Sequence, residues 1–495
     1  MRWADLAVAS GLRPPAGPPG EREVTLVTAD SEQVVPGAVF VAIRGAHHDG
    51  HEYVARAFER GAVAAVVESP RPGAAAQLAV ADSRAALANL AAAFNQDPSA
   101  GIPVVGITGT DGKTTTATML QSALDRTLGR AGSLTTVDFR SGSQVEPNLT
   151  RQTTLEAPEI QSRLRAMVDS GCRAVALEAT SHGLAQGRLL GVHFAGAVYT
   201  SITHEHLDFH GSWERYFEAK ARLLEAARAE DGFAVLNRDD QRAYPLLRPK
   251  AGRRALSYSA RGDGEADLRA QGVLPSARGV EFRAETPAGT AAVRLPLLGR
   301  WNVANALAAL GAGLQLGQPL PGLVEGLAAM QAVPGRMEPV ELGQAFSVIV
   351  DYAHTPAALG LALHELRSAT PGRLWVVFGS AGERDLLKRA AMGRIAAQQA
   401  DLVVVTSEDP RSEDPEASIE AIHAAAAAAG ARAGENLFRE RDRAEAIRLA
   451  ISGAQPGDTV LLAGKGHERS ILGASGARPW SERGEAEAAL RRRLG

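Results

Sequence analysis

Cysteine is almost absent from this sequence, and so are long apolar runs; each absence limits where the protein works. Cys172 is the single cysteine among 495 residues, so the chain cannot form an internal disulfide, which fits a reducing compartment. We interpret it as a small, buried apolar residue. The first residues lack a basic segment followed by a continuous apolar stretch, and no later apolar run is long enough to span a bilayer. We therefore expect a cytoplasmic protein.

Aromatic residues and net charge are also low. With 45% hydrophobic, 22% charged and only 5% aromatic residues, the composition is typical of a soluble α/β enzyme. The formal net charge is -3 and there is no long basic stripe. This argues against a nucleic-acid binder, because such a protein concentrates positive charge to displace counterions. We expect a monomer whose partners are small molecules, with no nucleic acid and no membrane among them.

Lysine is scarce as well. The 53 basic residues include only five lysines, which are Lys113, Lys220, Lys250, Lys388 and Lys465. An amine offers a compact charge or a nitrogen that can lose its proton, and a guanidinium offers neither. Where this arginine-rich chain keeps a lysine, chemistry that needs an amine is therefore a reasonable hypothesis.

The length suggests about three domains, at about 150 residues each. Segments rich in proline and polar residues, "NQDPSAGIP" (95–103) and "QAVPGRMEPV" (331–340), mark two boundaries. Short strand-like runs alternate with helical patterns throughout, which predicts an α/β fold. The predicted domains are a small α/β domain, a central P-loop ATPase domain with a mostly parallel sheet, and a C-terminal Rossmann-like domain, at residues 1–97, 98–335 and 336–495.

A glycine-rich loop, "GITGTDGKTTT" (106–116), follows an apolar strand and opens a helical stretch. This is the context that a phosphate cradle requires, and an incidental glycine turn is the weaker interpretation. Lys113 supplies charge to the β- and γ-phosphates, and Thr114 or Thr115 offers a hydroxyl to Mg²⁺. The predicted ATP-binding residues of the loop are Gly109, Thr110, Asp111, Gly112, Lys113, Thr114 and Thr115.

Polar side chains follow the next two apolar runs. Glu178 ends "RAVALE", and "AGAVYTSITHEHLDFHG" delivers His206 and Asp208. The carboxyl ends of parallel strands meet at one sheet edge, so we expect these groups near the P-loop, where oxygen ligands suit Mg²⁺. A zinc site is the rival, but the segment lacks a His-x-x-x-His spacing and a cysteine partner. His204 and His210 are more simply surface or capping residues.

Lys220 and Asn302 each have both an ordinary and a chemical interpretation. Lys220 lies in a helical pattern and by default is solvated, although a deprotonated amine there could take up CO₂ as a carbamate. Asn302 either caps a helix or presents its amide together with Asn305. Asp351 and His354 follow a strand in "VDYAHTPAAL".

Arg336, in the hinge segment "PGRME", also has two interpretations. A lone arginine in a linker is usually solvated. Between two domains around an ATP, it could instead reach a phosphate when the domains close.

Taken in order, "GITGTDGKTTT", "EATSHGL", "THEHLDFHG", "LLGRWNVANALAA", "PGRME", "DYAHTP" and "LAGKGHE" resemble the motif series of the Mur ligases over nearly the whole chain. The resemblance is greatest to the members that add the third residue of the peptidoglycan stem peptide. It implies an ATP-dependent ligase that joins a diamino acid to UDP-N-acetylmuramoyl-L-alanyl-D-glutamate through an acyl phosphate.

The resemblance also implies roles for individual residues. Catalysis is assigned to Lys113, Glu178, His206 and a carbamylated Lys220, with two Mg²⁺ sites that draw on Thr114, Glu178, His206 and Lys220. Further ATP contacts are assigned to Asn302, Arg336, Asp351 and His354. The UDP-sugar-peptide is assigned to Ser31, His47, His48 and Asp49 at the uridine end and to Gln152, Thr153, Thr154, Thr180, Gln186 and Arg188 at the dipeptide end.

The incoming amino acid would be read by Arg389, Glu408, Asp409, Pro410, Arg411, Gly464 and Glu468. Family members specific for meso-diaminopimelate typically have Asp-Asn-Pro-Arg where this chain has Glu408-Asp409-Pro410-Arg411. Arg411 suits a distal carboxylate, whereas Asp409, in place of a neutral amide, favours a bare ammonium. We favour L-ornithine or L-lysine, with meso-diaminopimelate a close second.

Two other functions are compatible with a P-loop. A ligase similar to folylpolyglutamate synthetase would not need a uridine-binding first domain, so residues 21–97 weigh against it. A P-loop switch protein would turn over nucleotide without any added amino acid.

Overall fold

Helices and strands alternate along most of the chain, which confirms the predicted α/β fold. The computed structural model describes residues 1–13, 18–45, 48–72, 76–203, 205–276, 279–383 and 386–495. These residues fall into two units. The first contains Met1–Arg269, Glu285–Thr290 and Ala304–Gly326, and the second contains Ala270–Ala284, Ala291–Val303 and Leu327–Gly495. The predicted domain boundaries stay predictions.

The first unit begins with a small parallel sheet in the order β1-β2-β3-β4. Its two inner strands are buried on both faces, as in sheets that carry helices on either side. The elements of this segment are α1 (Trp3–Ala9), β1 (Leu26–Thr28), β2 (Ala38–Val41), α2 (Val54–Glu59), β3 (Ala64–Val67), β4 (Gln77–Ala79) and α3 (Ser83–Phe94).

A larger, mostly parallel sheet follows. Its first elements are α4 (Pro98–Gly101), β5 (Val104–Thr108), α5 (Lys113–Leu128), β6 (Gly132–Leu134), β7 (Asp138–Ser141), β8 (Gln144–Pro147), α6 (Ala157–Asp169), β9 (Val175–Glu178), α7 (Ser181–Ala185) and β10 (Phe194–Tyr199). The next are α8 (Leu207–His210), α9 (Trp213–Ala229), β11 (Phe233–Asn237), α10 (Tyr244–Leu247), β12 (Ala255–Ser259), β13 (Leu268–Ser276), β14 (Gly279–Thr286), β15 (Gly289–Leu295), α11 (Asn302–Gln315) and α12 (Leu320–Ala328).

Within the first unit the strand order is β12-β11-β10-β5-β9-β6-β7-β8. The parallel part runs from β12 to β6, and β7 and β8 extend it antiparallel. β5 is completely buried and lies between β9 and β10, so it is shielded from water on both faces and both edges. This order brings the carboxyl ends of β5, β9 and β10 together, as the sequence predicted.

The second unit contains a sheet in the order β16-β17-β21-β18-β19-β20, parallel except for β16. Its elements are β16 (Glu338–Pro339), β17 (Ser347–Asp351), α13 (Pro356–Ala369), β18 (Leu374–Phe378), α14 (Leu387–Gln399), β19 (Leu402–Val405), α15 (Pro415–Ala428), β20 (Leu437–Arg439), α16 (Arg443–Gly453), β21 (Thr459–Ala463), β22 (Ser470–Gly473), β23 (Gly476–Pro479) and α17 (Glu482–Leu494). None of the helices in the described ranges has the length and apolarity that a membrane crossing needs.

Candidate active site

The P-loop connects β5 to α5 and is held in place by side chains from outside it. Gly112 has φ +86°, a left-handed conformation that side chains disfavour, and a Cβ there would collide with the Asn305 side chain. The Thr200 hydroxyl donates to the Asp111 carbonyl at 2.6 Å. Lys113 folds back over the loop, where its Nζ donates to the Thr110 carbonyl at 2.7 Å. Contacts within the protein therefore hold the shape of the loop.

Lys220, on α9, reaches the same loop. Its side chain is almost completely buried, and its Nζ donates to the Gly109 carbonyl at 2.6 Å. Burial, and then the charge of Lys113, lowers the pKa of Lys220 well below the ordinary value, although Glu205 and Asp111 oppose this. The site therefore favours a neutral amine, which is the form that can react with CO₂.

Tyr216, one turn before Lys220, links the helix to the loop and was not predicted. Its hydroxyl lies 3.0 Å from the Thr110 hydroxyl, which also accepts the Thr203 amide at 2.9 Å. The Lys220 Nζ lies 4.6 Å from the centre of the Tyr216 ring. Tyrosine is common in apolar helix faces, so the sequence carried no signal for this role.

Glu178, at the end of β9, connects the P-loop region to the predicted dipeptide-binding residues. Its carboxylate is buried and accepts the Thr136 amide at 2.8 Å. The Thr136 hydroxyl donates to the Thr153 hydroxyl at 2.9 Å, and the Thr154 hydroxyl donates to the Glu178 carbonyl, also at 2.9 Å. Thr136 is a second residue that the sequence did not reveal; its only signal is a Thr-Thr pair soon after β6.

The other predicted dipeptide residues lie close to this network. The Thr180 amide donates to the Thr154 hydroxyl at 2.9 Å, and Arg188 Nη1 donates to the Thr154 carbonyl, also at 2.9 Å. The backbone carbonyls of Gln152 and Gln186 accept from Asn148 and Arg84. Thr153, Thr154, Thr180 and Arg188 thus form one cluster beside Glu178.

His206 immediately precedes the short helix α8 and has a left-handed conformation, with φ +55°. Its ring centre lies 4.7 Å from that of His182, and burial lowers the pKa of His206 below its ordinary value. In the described ranges no three histidine, cysteine, aspartate or glutamate side chains are grouped so that they could hold a metal ion. The predicted donors are mainly oxygens, from Glu178 and Thr114, a chemistry that suits Mg²⁺. His204 lies outside the described residues.

In the first segment, the predicted uridine loop is braced by a histidine that the sequence did not identify. Asp49 accepts the His51 amide at 3.0 Å and lies 2.6 Å from its Nδ1, and these contacts lower the pKa of Asp49. The other ring nitrogen of His51 accepts the Glu68 amide at 3.0 Å. Ser31 is half-buried and His48 is exposed, and His47 lies outside the described residues.

In the second unit, Tyr352 lies among three side chains at the end of β17. Its ring centre is 4.5 Å from that of His354, 5.0 Å from that of His467, and 4.7 Å from the Arg336 guanidinium carbon. Asp351 accepts the Met337 amide at 2.7 Å. Burial raises the pKa of Asp351, although Arg336 opposes this.

Asn302, the remaining predicted ATP contact, donates to the Leu298 carbonyl at 2.7 Å. The sequence analysis paired Asn302 with Asn305. Asn305 packs against the P-loop, and its side chain accepts a hydrogen bond from the Thr116 hydroxyl at 3.3 Å.

The predicted amino-acid residues come together at the carboxyl ends of β19 and β21. The buried Lys465 Nζ donates to Asp409 Oδ1 at 2.7 Å and also contacts Glu468. Gly464 has φ +103°, and a Cβ there would lie 2.9 Å from Glu408 Oε2. Lys465 was noticed as a rare lysine, but its pairing with Asp409 was not predicted.

Two arginines complete this group. Arg389 pairs with Glu413 at 2.7 Å, and Arg411 has a left-handed backbone with φ +56°. Three of the buried polar atoms have no hydrogen-bond partner among the residues that the structure describes: Arg389 Nε, Arg411 Nε and Glu408 Oε2. Pro410 lies between Asp409 and Arg411 in the loop after β19. A buried polar atom without a protein partner is one that a bound ligand or a water can satisfy.

Three family models match successive parts of the chain. They are described as Mur ligase family, catalytic domain (residues 23–104), Mur ligase middle domain (107–313) and Mur ligase, glutamate ligase domain (335–466).

Two curated relatives and one solved structure match almost the full length. A UDP-N-acetylmuramyl-tripeptide synthetase of a Roseiflexus species is 46% identical over 96% of each chain. The enzyme of that name from Deinococcus radiodurans is 44% identical over 100% of each chain. The solved structure of a UDP-N-acetylmuramoyl-L-alanyl-D-glutamate--2,6-diaminopimelate ligase is 31% identical, with a TM-score of 0.70 over 100% of this chain and 99% of that one.

Proposed function

Because this chain belongs to the Mur ligase family, we propose that it is an ATP-dependent ligase that adds a diamino acid to UDP-N-acetylmuramoyl-L-alanyl-D-glutamate. One observation carries the proposal. The first unit brings together the P-loop, a buried amine on Lys220 and the threonine cluster around Glu178 at a single sheet edge. A nucleotide switch needs no acceptor cluster, so this arrangement favours a ligase.

The first step transfers a phosphoryl group. The dipeptide carboxylate, held by Thr153, Thr154, Thr180 and Arg188, attacks the γ-phosphorus of ATP, the bond to the β-phosphate oxygen breaks, and ADP leaves. Lys113 releases its bonds to the loop carbonyls and stabilises the charge on the phosphoryl oxygens. The product is an acyl phosphate.

Lys220 contributes in its neutral form. A neutral amine can add CO₂ and lose a proton to give a carbamate, which would place an anion beside the P-loop. Together with Glu178, Thr114 and His206, it would hold Mg²⁺, which neutralises phosphate charge when bound. In this proposal Thr136 and Tyr216 orient Glu178 and the loop rather than contact the nucleotide.

The second step forms the amide. The amine nitrogen of the diamino acid attacks the acyl carbon, phosphate leaves, and the nitrogen loses a proton. Arg389 and Arg411 would bind carboxylate, and the unpartnered oxygen of Glu408 would bind ammonium.

We place L-ornithine and L-lysine ahead of meso-diaminopimelate as the amino acid. An aspartate at 409 makes this site one charge more negative than an amide would, and Glu408 adds a buried carboxylate oxygen that has no hydrogen-bond partner among the described residues. Arg411 is the opposing feature, because its guanidinium could hold a second carboxylate.

The uridine end of the substrate is assigned to Ser31, His47, His48 and Asp49. ATP is assigned further contacts with Asn302, Arg336, Asp351 and His354. The proposal includes a monomer that works in the cytoplasm on small-molecule substrates.

An assay of ADP release tests the proposal. The enzyme is given ATP and Mg²⁺ with UDP-N-acetylmuramoyl-L-alanyl-D-glutamate, and each of L-ornithine, L-lysine and meso-diaminopimelate is added in turn. ADP should appear only when both the dipeptide and one amino acid are present, and the product mass should rise by one amino-acid residue. ADP release that is independent of both acceptors would instead indicate a nucleotide switch.

A further inference from the structure

One buried ion pair lies behind the amino-acid residues and is not accounted for by the proposed chemistry. Arg443, the first residue of α16, and Glu482, the first residue of α17, have completely buried side chains. Arg443 Nε donates to Glu482 Oε2 at 2.9 Å, and Nη2 donates to Oε1 at 2.6 Å. Trp480 Nε1 donates to Glu482 Oε2 at 2.8 Å, which fixes the carboxylate from the other side.

The remaining N–H groups of Arg443 reach two separate loops. Nη2 donates to the Ala463 carbonyl at 2.7 Å, and Nη1 donates to the Ser407 carbonyl at 3.3 Å. Ala463 ends β21 and precedes Gly464, and Ser407 follows β19 and precedes Glu408. One planar guanidinium is therefore bonded to the peptide groups that lead into both amino-acid loops.

The spacing between these loops is tight. A single Cβ added at Gly464 would already come within 2.9 Å of Glu408 Oε2. The charges of Glu482, Glu408 and Asp409 outweigh the effect of burial and raise the pKa of Arg443, so it stays charged. A small shift of either strand end would move the unpartnered Glu408 oxygen relative to Gly464.

We propose that Arg443, fixed by Glu482, is a positioning residue that sets the distance between the 407–411 and 464–468 loops and so determines affinity for the incoming diamino acid. It does not touch the substrate. Lysine cannot replace it, because a single ammonium cannot bond the carboxylate and both carbonyls in one plane. The identity of the substrate in this proposal rests on the proposed function, whereas the spacing of the two loops by Arg443 does not.

The test compares Arg443→Lys with Arg373→Lys. Arg373 pairs with the buried Asp458 at 2.8 Å and bonds the Gly453 carbonyl at 3.0 Å, at the opposite end of the same sheet. Its side chain is partly exposed, so it controls for the loss of an arginine ion pair elsewhere in the unit and not for burial. Steady-state kinetics are measured for each of the three substrates, and hydrogen exchange is measured on the intact enzyme.

For Arg443→Lys we expect the KM for the diamino acid to rise at least tenfold, with the KM values for ATP and the UDP-dipeptide within twofold of wild type. Amides in residues 407–411 and 464–468 should exchange at least tenfold faster, and those of the P-loop should not change. Arg373→Lys should leave the amino-acid KM unchanged.

The proposal is overturned if Arg443→Lys leaves the amino-acid KM and the loop exchange unchanged, or if both variants raise that KM equally. Should Arg443→Lys not fold, Glu482→Gln replaces it with the same expected results. If wild-type enzyme releases no ADP in response to any diamino acid, the proposed function fails, and hydrogen exchange still decides whether Arg443 spaces the loops.

Discussion

Replacing Lys220 with arginine should nearly abolish ligase activity. The Lys220 Nζ is buried against the Gly109 carbonyl at 2.6 Å, and its surroundings lower its pKa and so favour the neutral amine. A guanidinium keeps its proton at any pH that the enzyme tolerates and cannot form a carbamate. The variant therefore places a fixed positive charge where we propose an anion that helps to hold Mg²⁺.

The expected loss follows from the role. Removing one preorganised group that stabilises transition-state charge costs about 10²–10³ in kcat, or about 2.7–4 kcal/mol. Reversing the charge at the same position should cost at least that much, so we expect kcat to fall by about 10²-fold or more. An unpaired charge at a buried position also costs several kcal/mol of stability, so thermal unfolding must be measured alongside.

The assay is ADP release with saturating substrates, for Lys220→Arg, Lys220→Ala and Lys250→Arg. Lys250 is exposed, so Lys250→Arg is the matched control and should behave as wild type. Short carboxylic acids such as acetate should partly restore Lys220→Ala but not Lys220→Arg, because only the alanine variant leaves space for an anion. A folded Lys220→Arg enzyme with a kcat within twofold of wild type would refute the carbamate.

Three further results are expected. Asp409→Asn should raise kcat/KM for meso-diaminopimelate relative to L-ornithine by about tenfold, or about 1.4 kcal/mol, in competition kinetics; no change would mean that Asp409 does not read the substrate. His51→Leu should raise the KM for the UDP-dipeptide severalfold at unchanged kcat, because it frees Asp49; a fall in kcat alone would contradict this. Burial and then Arg336 lower the pKa of His467 to about 3. Below about pH 6.5 the unfolded chain therefore binds a proton that the folded chain does not, and the free energy of unfolding decreases as the pH is lowered. In urea unfolding, His467→Asn should lose less stability than wild type between pH 6.5 and pH 4, and equal losses would count against this assignment.

The sequence predicted those parts of the site in which the contacting residues are close together in the chain. It missed contacts between residues that are far apart in the chain. The P-loop is a continuous strand, loop and helix, so its shape follows from glycine spacing alone. Thr136 and Glu178 are 42 residues apart, and Tyr216 and Thr110 are 106 apart. Threonine and tyrosine are common in α/β cores, so nothing in the residue type signals such a pairing. The antiparallel strands β7 and β8 are neighbours in the chain and were missed for a different reason, because they are short and partly exposed.

Asp409 shows what a sequence decides about specificity and what it leaves open. An aspartate in place of an amide makes the site one charge more negative wherever its side chain points, and this part of the prediction needs no structure. The strength of the interaction between a ligand and that charge depends on the partners of Asp409. Here the Asp409 carboxylate accepts hydrogen bonds from both Lys465 Nζ and the Leu472 amide. Lys465 also contacts Glu468, so one ammonium is shared by two carboxylates and the three ionised groups sum to one negative charge. The preference for a substrate with a bare ammonium therefore depends on Asp409, Lys465 and Glu468 together. Its magnitude depends on how the hydrogen bonds of Lys465 are distributed between the two carboxylates.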